Sequence, residues 1–83
     1  MDGGDGMKYI VIELQTNADG TVGNLVWAYD TRQLAEQKYF LVLSAAAVSA
    51  LPVHAAVLLT SEGRTIYSQC FKHPDGRQEE TDE

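Results

Sequence analysis

Three side chains in this 83-residue chain have the chemistry of nucleophiles or metal ligands: Cys70, His54 and His73. A thiol beside an imidazole can lose its proton and attack an electrophile. Cys70 and His54 fall on two runs with strand character, Val53–Thr60 and Thr65–Lys72, on either side of Ser61-Glu62-Gly63-Arg64. A three-residue loop over 61–63 sets the two residues opposite each other. A two-residue loop at Glu62-Gly63 pairs His54 with Phe71 instead. No Asp, Asn or Glu is evidently placed to orient the imidazole, which a catalytic dyad needs. Cys70 is therefore expected to be a small apolar strand residue, and His54 a strand residue at the sheet surface. His73 and Asp75 would make at most a weak surface metal site, and His73 reads as the beginning of a tail. No catalytic residue, metal site or cofactor is expected, and an enzyme built on Cys70 and His54 ranks last among the functional readings.

Other chemistries fail on context. Gly3, Gly4 and Gly6 precede a strand pattern rather than a helix start, so they do not form a phosphate-binding loop. Six scattered bases make no basic stripe, and phosphate attraction is what nucleic-acid binding mostly runs on. Trp27, Tyr29 and Tyr67 could stack bases on an open sheet, but core and cross-strand packing is their expected use. No nucleic-acid partner is expected.

The length sets one domain, and a chain this short buries only about 60% of its unfolded surface. Small domains often add disulfides, a metal or a partner subunit. Cys70 is the only cysteine, which excludes an internal disulfide and points to a reducing cytosol. The longest nearly apolar run, from Tyr39 to Leu51, is too short for a bilayer, which needs about 20 residues. The formal charge of −6 lies in the ends. Asp2 and Asp5 precede Met7, Asp75, Glu79, Glu80, Asp82 and Glu83 outweigh Arg77 near the end, and acids and bases cancel between. Residues 1–6 are expected to be a disordered extension, with Met7 a possible native start, 7–73 a single α+β domain, and 74–83 a disordered acidic tail. A neutral body argues against mimicry of a nucleic acid, which needs charge on a rigid surface.

The elements follow from pattern. Lys8 to Thr16 and Val22 to Tyr29 alternate with period two and read as strands around Asn17-Ala18-Asp19-Gly20, a turn sequence. Loops of two or four residues place Ile10, Ile12 and Leu14 on the same face as Leu25, Trp27 and Tyr29. A three-residue loop splits them between faces and is rejected on that ground. Asp30 reads as a helix N-cap with Gln33 reaching back and a Tyr29–Leu34 staple. The helix is expected from Thr31 to about Ala50, ended by Pro52. Gly23 reads as a possible bulge. The order is ββαββ, a four-stranded antiparallel sheet ordered 2-1-3-4 with one helix on one face.

The helix carries the clearest functional signal. Leu34, Leu41, Val42, Ala45 and Ala46 define its expected sheet-facing side, with Lys38 and Ser49 as polar exceptions. A second stripe, Phe40, Leu43, Ala47 and Leu51, has nothing in a one-helix fold to cover it and is the expected interface of a homodimer.

The chain also resembles short uncharacterised proteins of gut bacteria and their prophages over about residues 7–73. The resemblance rests on Asn17-Ala18-Asp19-Gly20-Thr21, Trp27-Ala28-Tyr29-Asp30-Thr31, Ala35-Glu36 with Lys38-Tyr39, Ala45-Ala46-Ala47-Val48-Ser49, and His54-Ala55-Ala56. It implies a phage origin and no known activity, so no functional residue is carried over. The expectation is a non-enzymatic interaction or structural module, cytoplasmic and self-associating through its helix. A small acidic inhibitor of a host protein is the alternative.

Overall fold

Two hairpins and one connecting helix make up the described part of the chain, and their alternating side chains decide which surface is core. The computed structural model describes residues 7–73. Its elements are β1 (Tyr9–Thr16), β2 (Val22–Tyr29), α1 (Arg32–Ala47), β3 (Val53–Thr60) and β4 (Thr65–Lys72). They form one sheet ordered β2-β1-β3-β4, with every neighbouring pair antiparallel and α1 crossing from β2 to β3. This is the α+β architecture and strand order read from the sequence.

The register differs from that expectation. β1 and β2 are joined by the rejected three-residue loop. Thr16 lies opposite Val22, and Asn17 N donates to Thr21 O at 2.8 Å. Gly20 N returns to Asn17 O at 2.9 Å, and Gly20 takes φ 90, a left-handed angle that costs glycine little. Thr21 donates from its hydroxyl and its backbone N to Asp19 Oδ1, which holds that carboxyl below its usual range. The second hairpin repeats the design. Thr60 N donates to Arg64 O, Gly63 N donates to Thr60 O, and Gly63 also has φ 90. A bulge between Leu58 and Leu59 then shifts the ladder by one, so that His54 pairs with Phe71. Gly23 is not a bulge, since it sits in an unbroken ladder opposite Gln15.

Because paired residues share a face, the two sides of the sheet can be written down. Toward the helix lie Tyr9, Val11, Glu13 and Gln15 of β1, Trp27 and Tyr29 of β2, and His54, Ala56, Leu58 and Thr60 of β3. On the other side lie Ile10, Ile12 and Leu14 of β1 beside Val53, Ala55, Val57 and Leu59 of β3. No element among the described residues covers that second side.

The helix is shorter than expected and turned about its axis. Thr31, not Asp30, is its N-cap, with extended backbone and Oγ1 accepting from Leu34 N at 3.3 Å. Asp30 is engaged by Lys8 Nζ instead. With the cap at Thr31 the fourth helical residue is Ala35, fully buried, while Leu34 is half exposed and no staple with Tyr29 forms. The helix stops at Ala47 with Val48 as C-cap, well before Pro52. Sixteen helical residues span about 24 Å, matching strands about 26 Å long. Ala35, Tyr39, Val42 and Ala46 face the sheet, and Leu41 is 60% exposed. The core is Val11, Ala35, Tyr39, Val42, Ala56 and Leu58, in which the small alanines admit helix and sheet to close approach. Large side chains such as Leu58 contribute about 1.5–3 kcal/mol each when fully buried. Lys38, an exception on the apolar side, sets its ammonium 4.1 Å from the Trp27 ring centroid.

Candidate functional site: a buried carboxylate–imidazole pair and two apolar surfaces

Cys70 and His54 are not brought together. Cys70 lies opposite Ala55 on the uncovered side of the sheet and is exposed. His54 points to the helix-covered side and is buried. The sheet itself separates thiol from imidazole, so they form no nucleophile pair.

The register gives His54 another partner. Gln15 is its direct neighbour on β1, and Glu13 lies one step along the same face, opposite Ala56. His54 Nε2 and Glu13 Oε2 are 2.6 Å apart, and the same oxygen accepts from Gln15 Nε2 at 2.9 Å. The side chains of His54 and Glu13 are only 6% and 12% exposed. An ionised carboxylate only accepts, so the imidazole donates from Nε2. Its Nδ1 is buried and has no hydrogen-bond partner among the described residues. Nothing in the sequence fixes the register between β1 and β3, which are joined only through β2 and the helix, so no carboxylate could be placed beside His54. The usable signal was that Glu13 and His54 are the only ionisable side chains in the two central strands apart from Tyr9. A dyad of this kind could move a proton, and here it is enclosed on the helix-covered side of the sheet. Its evident work is to fix the pairing of β1 with β3.

His73 belongs to the fold rather than to a tail. Its N donates to Pro52 O at 2.8 Å, and its Nε2 lies 3.2 Å from the Ala46 carbonyl, in the last turn of the helix. That carbonyl otherwise accepts only long backbone bonds such as Ser49 N at 3.3 Å, and a histidine N–H there adds a further donor. The ring stacks on Phe71 at 6.5 Å. Its proposed companion Asp75 lies outside the described residues, as do the extension 1–6 and the tail 74–83. Among the described residues no three His, Cys, Asp or Glu side chains are gathered to hold a metal ion. None of their helices is long and apolar enough to cross a membrane.

The expected helix stripe is divided. Phe40 is 52% exposed and Ala47 is exposed. Leu43, by contrast, is half-buried against the core, and Leu51 lies past the end of the helix. Phe40 is also in an aromatic cluster, 5.1 Å from Tyr39 and 6.0 Å from Tyr67. Tyr39 stacks on Tyr67 at 5.5 Å, and Arg32 and Glu36 border that ring. Tyr67 is thus occupied with packing, as are Trp27 and Tyr29 against the core. A second apolar surface is the uncovered side of the sheet, where Val22 and Val26 are exposed and Ile10, Ile12, Leu14, Val57 and Leu59 are half-buried.

No family model, curated protein or solved structure matches the chain.

Proposed function

We propose that the chain is a non-enzymatic interaction or structural module that works as a homodimer. The observation that carries this reading is the uncovered side of the sheet, where Ile10, Ile12, Leu14, Val57 and Leu59 lie side by side without a covering layer. A contiguous apolar surface beyond a few hundred Å² is rare on a monomer and marks an interaction site. The separation of Cys70 from His54 and the enclosure of the Glu13–His54 pair favour binding over catalysis. A lone exposed thiol fits a reducing cytosol. Light scattering in the upper micromolar range is the test. A mass of twice the chain is expected, and a monomer throughout that range overturns the reading.

A further inference from the structure

Resting on the homodimer reading, we infer that two copies join through the open sheet rather than through the helix, stacking sheet on sheet with the helices outermost. The occupant of the open side is a second copy of this chain, and three observations select it. The first is composition. The middle of the surface is aliphatic, from Ile10, Ile12 and Leu14 to Val53, Val57 and Leu59. Polar side chains enter only toward the margins, with Thr16 at the end of β1, Asn24 among Val22, Val26 and Ala28 on β2, and Ser68 and Lys72 beside Cys70 on β4. An apolar centre with a polar rim is the anatomy of a protein interface.

Charge is the second. None of the strand residues on this side is acidic, and Lys72 is its one base. At the far end Lys8 is neutralised by Asp30. Such a surface repels no copy of itself, whereas a lipid surface would call for a basic rim.

Size is the third. Four strands of eight residues make a rectangle about 26 Å by 19 Å, a footprint of about 500 Å² on each copy. Two copies together cover roughly 1,000 Å², the lower bound for a specific interface. Sheets packed this way lie about 10 Å apart, with strands about 30° from aligned.

Cys70 reports on the arrangement without a mutation. It is exposed on the same side as Ala55, so sheet-on-sheet stacking covers it and helix-to-helix contact leaves it free. In the wild-type dimer, iodoacetamide should modify Cys70 at least about tenfold more slowly than in the chain diluted to monomer. Val57→Glu, at the centre of the open side, should give a folded monomer by light scattering and circular dichroism. Phe40→Glu, on the exposed side of the helix, should remain a dimer. A dimer whose Cys70 reacts as fast as in the monomer overturns the sheet-face assignment, whether or not Val57→Glu folds. So does a dimer that survives Val57→Glu and is lost in Phe40→Glu, and both results leave self-association standing. A wild-type monomer overturns both readings. If that monomer sediments with phosphatidylcholine–phosphatidylserine vesicles, the open side belongs to a lipid surface instead.

Discussion

Replacing Glu13 by alanine isolates the least expected feature of the fold. The substitution removes the only hydrogen-bond partner of the His54 ring among the described residues and the acceptor used by Gln15. Removing one partner of a buried charge-assisted hydrogen bond costs about 3 kcal/mol or more, because the other is left enclosed and unpaired. Two features place this case at the low end. Glu13 retains 12% side-chain exposure, and Gln15 is only half-buried and can turn to water. A loss of about 3 kcal/mol is expected, which in a domain of this size lowers Tm by about 12–24 °C. Glu13→Gln keeps an acceptor oxygen for both donors and forfeits only the charge, so its loss should be nearer 1 kcal/mol. Glu13→Leu combined with His54→Leu removes the polar requirement altogether and should be more stable than Glu13→Ala alone. Urea unfolding followed through Trp27, the only tryptophan, which packs against the core, supplies all three values. Were Glu13→Ala to stay within about 0.5 kcal/mol of wild type, a typical surface effect, the pair would not be a buried structural contact.

Two further outcomes follow from individual side chains. Burial, and after it the neighbouring Tyr67, push the Tyr39 hydroxyl up from its usual value near 10. A group that holds its proton more tightly when folded stabilises fully below its unfolded value and loses that contribution as pH rises through the folded one. Unfolding free energy should therefore fall above about pH 10, and Tyr39→Phe should flatten that decline in urea titrations run at successive pH values. Gly63→Ala should cost about 1–2 kcal/mol, the penalty of a left-handed angle for a residue with a Cβ, since an added methyl meets nothing within 4 Å and only the backbone resists.

The four strands, their order and the single helix were legible because period-two runs are bounded by turn sequences. Asn17-Ala18-Asp19-Gly20 and Ser61-Glu62-Gly63 each end in the glycine that closes a three-residue loop. What misled the register was the premise that only one face of the first hairpin is apolar. β1 offers Tyr9 and Val11 on one side and Ile10, Ile12 and Leu14 on the other. Choosing by aliphatic content selects the second side, whereas the space beneath the helix is filled from the first. The helix misled in the same way. Leu34 and Leu41 attract a hydrophobicity count, but close packing on a sheet favours Ala35 and Ala46, both fully buried. The contact of Glu13 with His54 was hidden for another reason: β1 and β3 are distant in sequence, and no turn between them sets their pairing.

The surplus of apolar residues in the central strands has one coherent explanation. Sheets covered on one side alternate apolar with polar, while strands covered on both sides read as nearly continuous apolar runs. β3, Val53-His54-Ala55-Ala56-Val57-Leu58-Leu59-Thr60, has the second pattern, and its polar exceptions His54 and Thr60 lie on the helix side. They are tolerated there because His54 meets Glu13, and the Thr60 hydroxyl accepts from Glu62 N and Arg64 N. The uncovered side of β3 has no polar residue at all: Val53, Ala55, Val57 and Leu59. α1 supplies one layer, and among the described residues nothing supplies the other. The central strands are thus composed for a sheet enclosed on both sides, and this pattern supports the proposal that a second copy of the same sheet is the missing layer.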